Sequence, residues 1–582
     1  MIHPGRGILP AGRSTTLGAA ILMLVSALAV GPRGLHAQEQ PVGRLELRAD
    51  PEIEEMIDDL RDEIPRRMEQ QGLPGLAIAL VDRDGIVWAE GFGTTERAGG
   101  RPVTTKTMFN IQSMSKTVSA TGVLAAVRDG LVDLDEPITT YLPGFSVHSR
   151  FEENPASRMT LRHLLSHRAG FTHEAPMGNN YNPSYPSWDE YIRSISDTWL
   201  RYPVGERYSY SNLGVDLAGY ILQTVSGRPF PDYMATTLFS PLGLTRSSMD
   251  WSVIRADGNR AVGHSNGFDD VPLEYGLIPS GGFNGSVEDV AEFVRFHLNE
   301  GRVGDGQLIA RSILEEMYTI QFAVEGQVQG YGLGLGKYLR YGDYFYSHNG
   351  GGFGFLSHMA WYPAWGVGVV VLTNSTDNNL TSGFPFQVMS RVLQATLGRV
   401  PPEVRPFPDL EPGNISDDRQ ARLAGHYIGR SIEMSLELEE NGDARVRVGN
   451  QSVPLHFLGP ASAFADSPEG RIRIRFSLDE TGRPRFLEMA HNGQSADYNG
   501  GPADGPGPDK PEWSVYEGEY THSVWDQQTR RISLHKRDGT LFFNELRLEE
   551  YLPGLFFSST GEALDLRGPV PTWRNIRLEK VR

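Results

Sequence analysis

The first apolar positions of the globular part of the chain repeat every three to four residues, and short continuous runs follow. From Pro51 onward the repeat matches one buried face of a helix. Its apolar members are Ile53, Met56, Ile57, Leu60 and Ile64. The runs at 75–81 and 86–93 flank the polar turn at 82–85 (DRDG), which predicts a β-hairpin directly after the helix.

The middle of the chain has helix-like patterning, and a strand-like run closes it. Residues 117–128 and 287–298 are helix-like, whereas the run at 361–374 (WYPAWGVGVVVLTN) is strand-like. Strands at both ends of a segment, with helices between them, are typical of an α+β domain. We therefore predict an α+β domain whose sheet is built from the beginning and the end of this segment.

Two Pro- and Gly-rich stretches, at 399–413 and 499–513, divide the rest of the chain. The pieces after them alternate like strands, as in 471–478 (RIRIRFSL) and 530–537 (RRISLHKR), and they begin alike (LAGHYIG and YEGEYTH). This weak repeat predicts two small β-barrels or sandwiches. The predicted boundaries are 38–398 for the α+β domain, 399–413 for a linker, 414–500 for a β-barrel-like domain, 501–512 for a second linker and 513–582 for a second β-barrel-like domain.

The beginning of the chain has the pattern of an export signal. Arg6 and Arg13 precede an apolar run at 17–30. The run is shorter than the roughly 20 residues of a membrane span. This length favours a signal peptide, which would consist of residues 1–37. Cleavage is predicted after Ala37, and an uncleaved anchor is the alternative. We therefore expect an exported protein, periplasmic or extracellular.

Charge and cysteine content narrow the classes of function. The formal net charge is -18, which argues against nucleic acids and acidic membrane surfaces as partners. The sequence contains 0 cysteines, which excludes disulfides, thiolate zinc sites and cysteine nucleophiles. We predict no cofactor, and the oligomeric state is left open.

The segment FNIQSMSKTVSA (109–120) holds a candidate nucleophile and its base. Ser113 opens an apparent helix, and Lys116 follows it. Side chains three residues apart share one helix face, so the amine of Lys116 can contact the hydroxyl of Ser113. A partly buried lysine with a lowered pKa accepts that proton at neutral pH, and the N-terminal end of the helix favours the developing oxyanion.

Two other serines match nucleophile patterns, but their surroundings argue against both. Ser533 and Lys536 have the same spacing, yet they lie in an alternating stretch, where positions three apart point to opposite faces of a strand. Ser265 lies in a G-x-S-x-G pattern without the buried strand before it and the helix after it that this motif needs. Ser113 is therefore the predicted nucleophile.

Four segments, in order, resemble the class C branch of the β-lactamase and penicillin-binding-protein superfamily. FNIQSMSKTVSA resembles its active-site helix, and 159–171 (MTLRHLLSHRAGF) resembles its Leu-Leu-x-His-x-x-Gly signature. Tyr210-Ser211-Asn212 matches Tyr-x-Asn, and His348-Asn349-Gly350 stands where the third motif is expected. The resemblance covers roughly residues 50–395 and implies an antiparallel sheet flanked by helices, followed by lipocalin-like barrels.

The resemblance also implies roles for single residues. Ser113 becomes acylated, while Lys116 and Tyr210 share the work of general base and proton shuttle. Asn212 hydrogen-bonds Lys116 or the substrate. The backbone N–H groups of Ser113 and Gly351 form the oxyanion hole, and the glycines that begin at Gly350 let the substrate approach the strand edge.

The third motif departs from the β-lactamase pattern. His348 and Asn349 replace the usual Lys and Thr/Ser, so an ammonium that would hold a penicillin carboxylate is missing. A His-x-Gly motif in this place is similar to D-aminopeptidases and related esterases and amidases, and His348 joins the predicted catalytic set. No counterpart of a dedicated deacylating glutamate is evident, so the route of water activation is left open.

Other polar and aromatic groups have structural explanations. His163 and His167 are spaced to share a metal ion, but no third ligand follows, and we predict no metal site. The acidic groups at 133–136 and 269–270 are interpreted as solvated loop charges. The aromatics Tyr181, Tyr185 and Trp188 belong either to a substrate cleft or to a packed surface loop.

These observations predict a serine hydrolase that cleaves an ester or amide through an acyl-enzyme on Ser113. A D-amino-acid peptide or a peptidoglycan-derived fragment is the candidate substrate. One alternative is a β-lactamase or DD-carboxypeptidase. Another is a cell-wall or penicillin sensor with little turnover.

Overall fold

The computed structural model describes residues 43–48, 50–179, 186–265, 271–323, 327–401, 410–429, 433–439, 441–448, 451–467, 470–491, 498–502, 510–524 and 528–581. The predicted signal peptide, Tyr181, Tyr185 and the acidic pair at 269–270 lie outside these ranges. Within the ranges, no helix is both long enough and apolar enough to cross a membrane.

A seven-stranded antiparallel sheet forms the centre of the α+β region. Its strands are β1 (Gly75–Asp82), β2 (Gly85–Gly93), β3 (Gly330–Tyr331), β4 (Gly336–Arg340), β5 (Asp343–Gly352), β6 (Phe355–Tyr362) and β7 (Val367–Thr373). Their order is β2-β1-β7-β6-β5-β4-β3, with Ala79 opposite Val370 and His348 opposite Met359. The predicted hairpin is confirmed, and so is a sheet that joins the beginning of the segment to its end.

The sequence pattern indicated one strand at 361–374, but the structure has two. The run contains the end of β6, a turn and all of β7. Gly366 adopts a φ of 71° in this turn, a left-handed conformation that favours glycine. Pro363 and Gly366 are turn residues inside an apolar run, and they divide it into two buried, antiparallel strands.

Helices cover both faces of the sheet. They are α1 (Pro51–Gln71), α2 (Ser115–Arg128), α3 (Asn212–Ser226), α4 (Val287–Leu298) and α5 (Leu380–Leu397). In β1, Ile78 and Leu80 belong to the apolar cluster with α1 and α5. Ala77 and Ala79 point the other way, into the cluster with α2, α3 and α4. The nearly continuous apolar run of β1 is therefore explained by burial on both faces.

Capping residues set the ends of α1. The Asp50 side chain accepts a hydrogen bond from the backbone N–H of Glu52 at 3.0 Å, which satisfies a donor of the first turn. Gly72 ends the helix with a φ of 61°, the left-handed conformation common after a last turn. The predicted helix that begins at Pro51 is confirmed, and so are the helices predicted at 117–128 and 287–298.

Shorter elements complete the α+β region. The further helices are Leu161–Leu165, Trp188–Ser194, Phe230–Met234, Ser240–Leu242, Trp251–Ala256, Ile278–Gly281 and Arg311–Tyr318, with a π-helical turn at Ala235–Phe239. Helices of the 3-10 type span Gln112–Met114, Ile138–Thr140, Pro155–Ser157 and Ile195–Asp197. Short strands pair Phe109–Asn110 and Ser247–Ser248 with Asn284–Gly285, and Arg302–Val303 with Gly306–Gln307.

Two nine-stranded antiparallel sheets follow. The first, preceded by the helix Asp417–Leu423, contains Gly425–Gly429, Glu433–Leu438, Ala444–Val448, Gln451–Pro454, His456–Gly459, Ser462–Ser467, Gly470–Leu478, Pro484–His491 and Tyr498–Pro502. The second, preceded by the 3-10 helix Pro511–Val515, contains Gly518–Val524, Gln528–Arg537, Thr540–Phe543, Leu546–Leu552, Leu555–Ser558, Ala563–Asp565, Thr572–Trp573, Ile576–Arg577 and Glu579–Lys580.

Both sheets curl toward closure. In the first, the two edge strands Gln451–Pro454 and His456–Gly459 are neighbours along the chain. In the second, the edge strands Ile576–Arg577 and Glu579–Lys580 are likewise neighbours. Each sheet encloses its own apolar cluster, as small barrels do. The predicted fold class is confirmed. The exact domain boundaries stay predictions; the strand Tyr498–Pro502 extends two residues beyond residue 500, the predicted end of the first β-barrel-like domain.

One segment of the α+β region bonds to both β-sheets. Arg207 Nη2 donates to Ser477 Oγ of the first sheet at 2.9 Å. Tyr202 Oη donates to the carbonyl oxygen of Thr560, beside the second sheet, at 2.8 Å. Both Tyr202 and Arg207 are fully buried in this contact. The segment leads directly to Tyr210.

Candidate active site

Ser113 lies in a tight turn at the start of α2. It belongs to the 3-10 helix Gln112–Met114, so α2 itself begins two residues later than Ser113, at Ser115. Gln112 has a φ of 51°, a conformation that non-glycine residues adopt only when their surroundings enforce it. The Asn110 side chain holds this turn by accepting from Gln112 N at 2.8 Å. Ser113 is half-buried, in contrast to its buried neighbours Gln112 and Met114.

The amine of Lys116 is surrounded by three oxygen atoms. Ser113 Oγ lies 3.0 Å from Lys116 Nζ, Asn212 Oδ1 lies 2.8 Å away, and the carbonyl oxygen of Ser280 lies 2.9 Å away. Two of these oxygens are pure acceptors, whereas the hydroxyl also donates. The protonated amine donates to all three oxygens, and the neutral amine donates to the two carbonyls and accepts from the hydroxyl of Ser113, so this geometry serves both forms.

Burial favours that neutral amine. The Lys116 side chain is 0% exposed, and loss of solvation lowers the pKa of its amine well below the usual lysine range. The negative charges of Asp216 and Glu174 act in the opposite direction.

Tyr210 lies beside the same amine. The distance from Lys116 Nζ to the centre of the Tyr210 ring is 4.9 Å. The ring is half-buried between His167, at 4.3 Å between ring centres, and His173, at 5.6 Å. Tyr210 lies on the extended segment just before α3, whose first residue, Asn212, contacts the lysine. The Tyr-x-Asn motif thus brings the Tyr210 ring and the Asn212 amide to Lys116.

His348, on β5, is a neutral imidazole at one wall of the site. Its Nδ1 lies 2.5 Å from the carbonyl oxygen of Asn349, and its Nε2 lies 2.9 Å from Tyr331 Oη. Since a carbonyl cannot donate, Nδ1 carries the proton and Nε2 accepts from the tyrosine hydroxyl. Burial and the charge of Lys116 lower the pKa of His348 to about 3. The ring centre of His348 lies 6.3 Å from that of Tyr210.

The glycines after His348 bring β5 close to the nucleophile turn. A Cβ atom on Gly350 would lie 2.1 Å from the carbonyl oxygen of Ile111 and 2.5 Å from Ser357 Oγ. Only glycine allows this approach of the strand to the turn before Ser113. Gly351 is exposed, and β4 begins at Gly336, which lies opposite Ser347. In the sheet pairings of the described chain, Gly351 pairs with β6 alone, so its other side is left unpaired by β4.

The rejected candidates lie outside the nucleophile turn and α2. Ser533 and Lys536 lie on the strand Gln528–Arg537, as expected from their alternating pattern. Ser265 Oγ accepts from Thr376 Oγ1 at 2.7 Å, outside any helix. Ser113 therefore differs in local conformation from Ser533, which lies in a strand, and from Ser265, which lies outside any helix.

His163 and His167 serve as packing groups. The His163 ring stacks on Phe322 with 4.8 Å between ring centres, and its Nδ1 lies 2.9 Å from Thr160 Oγ1. His167, at a φ of 59°, is buried against Tyr210, and its Nδ1 accepts from Ser211 N. Among the described residues no group of three or more His, Cys, Asp or Glu side chains is arranged to hold a metal ion.

The remaining acidic and aromatic candidates have structural contacts. Asp135 is exposed and pairs with Arg162 at 2.6 Å, as a solvated loop charge does. Trp188 is half-buried as the first residue of the helix Trp188–Ser194, and it stacks on Tyr191 with 5.9 Å between ring centres, so it is a packed residue.

Sequence reasoning missed two sets of residues near the site. Asp216, one turn after Asn212 on α3, is fully buried and bonds to Ser280. The available signal was that Asp216 is the only charged residue in the sequence of α3, inside its apolar stretch 213–222. Asn575, beyond the second β-sheet's Trp573, bonds to the Thr172–Glu174 stretch, and no local pattern indicated that contact.

Fold and site together define a β-lactamase-like serine-lysine arrangement on an antiparallel sheet. The Beta-lactamase family matches residues 60–386, more than half of the sequence, so the chain belongs to that family. The superfamily inferred from the motifs is thereby confirmed.

Individual proteins share this similarity at low sequence identity. Penicillin-binding protein 4 of Amycolatopsis lactamdurans is 28% identical over 369 residues, which cover 61% of this chain and 93% of that protein. Protein flp of Staphylococcus aureus (strain MRSA252) is 20% identical over 320 residues, and this chain spans only 61% of its length, with 53% of this chain covered. The solved structure of SurE with D-Leu superposes with a TM-score of 0.52 at 21% identity, covering 76% of this chain and 98% of that one.

Proposed function

We propose that the chain is a serine hydrolase that cleaves an ester or amide through an acyl-enzyme on Ser113. The observation that carries the proposal is the 3.0 Å contact between Ser113 Oγ and the fully buried amine of Lys116. A general base in contact with a nucleophile contributes roughly 10²–10⁴-fold to a rate, provided that it is unprotonated. Burial of Lys116 favours that unprotonated form.

In the acylation step, Ser113 Oγ attacks the carbonyl carbon while its proton moves to Lys116 Nζ. The negative charge that develops on the carbonyl oxygen is stabilised by the backbone N–H groups of Ser113 and Gly351. The bond to the leaving alcohol or amine then breaks. That group takes the proton from Lys116, with Tyr210 beside the amine as the shuttle.

Deacylation reverses these movements with water as the nucleophile. A water proton passes to the Lys116–Tyr210 pair, the hydroxyl oxygen bonds to the acyl carbon, and the Oγ–C bond breaks. Ser113 regains its proton, and a carboxylic acid leaves. Asn212 holds Lys116 in place throughout by accepting from the amine at 2.8 Å.

The uncharged His348 side chain favours an acyl donor that has no carboxylate next to this histidine. Both ring nitrogens are engaged within the protein, and the ring has no positive charge to offer. A penicillin or a D-alanyl-D-alanine substrate presents such a carboxylate. Esters and amides of D-amino acids are therefore the preferred candidates, and the D-Leu named with the similar SurE structure is in keeping with a D-configured group.

β-Lactamase or DD-carboxypeptidase activity is the second candidate. Its support is the similarity to Penicillin-binding protein 4 over 93% of that protein. A sensor that becomes acylated with little turnover is a third reading of the same Ser113 chemistry. The export signal proposed for residues 1–37 would bring the hydrolase to the periplasm or the outside of the cell, where peptidoglycan fragments are found.

A substrate panel tests the proposal. Purified protein and Ser113→Ala are assayed with p-nitrophenyl esters, D- and L-amino-acid amides and nitrocefin. We expect turnover of esters or D-amino-acid amides by the wild type and loss of at least about 10³-fold in the variant. Equal activity in Ser113→Ala would contradict the assignment. Nitrocefin as the best substrate would favour the second candidate, and a permanent adduct without turnover would favour the sensor.

A further inference from the structure

Asp216 is a fully buried carboxylate that receives three hydrogen bonds. Its Oδ1 accepts from the backbone N–H of Ser280 at 2.9 Å. Its Oδ2 accepts from Ser280 Oγ at 2.9 Å and from Tyr191 Oη at 2.6 Å. Burial raises the pKa of Asp216, and its three hydrogen-bond donors and the charge of Lys116 act in the opposite direction. Because burying a carboxylate costs free energy, packing alone does not account for an aspartate at this position.

Ser280 connects this carboxylate to the lysine. Asp216 fixes Ser280 at two points, the backbone N–H and the hydroxyl, and the carbonyl oxygen of the same residue accepts from Lys116 Nζ at 2.9 Å. Ser280 lies in the short helix Ile278–Gly281, which Ser119 of α2 also holds, through a 2.7 Å bond to the carbonyl of Pro279. The position of one acceptor of Lys116 therefore depends on Asp216.

Helix α3 presents two groups to the same amine. Asn212 and Asp216 are four residues apart, so they lie on one face of the helix. Asn212 contacts Lys116 Nζ directly, while Asp216 acts through Ser280. A rotation or shift of α3 would move both groups together, which makes the helix a rigid support for the lysine.

The charge around Lys116 is mixed. The titratable groups that contact it or act on its charge are His167, Glu174, Tyr210, Asp216 and His348. His173 and Tyr191 lie one contact further away, against Tyr210 and Asp216. The negative charges of Asp216 and Glu174 raise the pKa of Lys116, and burial lowers it by more. The balance leaves the amine close to the range in which a base can gain and lose a proton.

We propose that Asp216 is a positioning residue for the Ser113–Lys116 pair, which aims the Ser280 carbonyl at the lysine amine and supplies a buried negative charge. This inference rests on the proposed function for its kinetic consequence, but its effect on the lysine is independent of turnover.

The first test measures the lysine itself. The chain contains Lys106, Lys116, Lys337, Lys510, Lys536 and Lys580, so protein labelled with ¹³C at lysine Cε gives few signals. Lys116→Met assigns the signal of Lys116. In Asp216→Asn, we expect its titration midpoint to move to lower pH by on the order of one unit, because a nearby negative charge is removed. The milder Tyr191→Phe removes one donor from Asp216 and should move the midpoint in the same direction by less. An unchanged midpoint in both variants would overturn the inference.

The second test measures kinetics with a matched control. Asp289 on α4 is also a buried carboxylate, with bonds from Arg246 N and Ser247 Oγ at 2.7 Å each, and it lies outside the Lys116 network. We expect Asp216→Asn to lower kcat by roughly ten- to a hundredfold with little change in KM. The low-pH limb of kcat/KM should move to lower pH, whereas Asp289→Asn should leave that limb in place.

The outcomes separate the two proposals. A wild type without turnover on any panel substrate contradicts the proposed function, while the titration of Lys116 still decides the role of Asp216. An active Asp216→Asn variant with an unchanged low-pH limb and an unchanged Lys116 midpoint contradicts the role of Asp216 and leaves the proposed function intact.

Discussion

Asn575 Nδ2 donates to the carbonyl oxygen of Glu174 at 2.7 Å, a bond that joins the second β-sheet region to the wall of the active site. Two residues before Glu174, the hydroxyl of Thr172 donates to Glu562 Oε2, also at 2.7 Å. Between these two anchors, the ring of His173 stacks against Tyr210. The C-terminal region therefore holds the segment that supports the proposed proton shuttle.

This contact predicts that Asn575→Gly lowers activity without unfolding the protein. Asn575 has a φ of 65°, which glycine adopts freely, so the substitution removes the amide and keeps the turn. We expect kcat to fall by roughly tenfold, because the support of Tyr210 is loosened. The control is Asn544→Gly, at a φ of 52°, whose side chain bonds within its own sheet to Ser533 N. Equal kcat values for the two variants would contradict the coupling.

The sequence was sufficient to predict that Ser113 and Lys116 are in contact. Ser113 and Lys116 lie on neighbouring turns, so their contact is local and follows from spacing. Tyr210 and His348 are distant in sequence, and they were found because short motifs identify them. Ser533 and Lys536 show that spacing alone misleads until the local conformation, here a strand, is taken into account.

The rest depends on contacts that no local pattern encodes. Asp216 approaches Ser280 only after α3 and the 278–281 helix pack against α2. The left-handed φ of Gln112 comes from the surrounding fold, since glutamine has no preference for it. Asn575 meets Glu174 across 401 residues of sequence. The division of 361–374 into two strands was encoded, by Pro363 and Gly366, but the apolar run obscured it.

Activity should depend on pH through Lys116. The amine is a base only when unprotonated, so kcat/KM rises as pH rises through its pKa, which burial holds well below the ordinary value of 10.5. His348, with its pKa near 3, is neutral over the assay range and contributes no limb. His348→Asn should therefore keep the low-pH limb of the wild-type profile. A limb that disappears in His348→Asn would assign the titration to the histidine instead.

Folding stability should fall as the pH decreases from about 6.5. Burial lowers the pKa of His297 to about 3 and that of His358 to about 4, so the folded state keeps them neutral. The unfolded chain protonates them near 6.5, and stability is lost between that value and the folded pKa. Urea unfolding from pH 7 to pH 4 measures this loss. His297→Asn should reduce the pH slope, whereas His456→Asn, at an exposed position, should leave it unchanged. Equal slopes in the two variants would contradict this account.

Gly350→Ala should separate β5 from the nucleophile turn. The new Cβ atom would overlap the Ile111 carbonyl oxygen at 2.1 Å, and a backbone group cannot rotate away as a side chain would. We expect a loss of about 1–3 kcal/mol in the free energy of unfolding and roughly a hundredfold loss in kcat. Gly383→Ala on α5, where no atom lies within 4 Å of the new Cβ, is the control and should keep full activity. Wild-type kcat in Gly350→Ala would show that the close approach has no catalytic role.

The most direct measurement is peptide mass spectrometry after reaction with a fluorophosphonate. The account predicts one adduct, on the peptide that contains Ser113, and slow labelling of Lys116→Met because the hydroxyl has lost its base. In Ser113→Ala the adduct should be missing. An adduct on Ser265 or another serine, or equal labelling of Ser113→Ala, would contradict the assignment of the nucleophile.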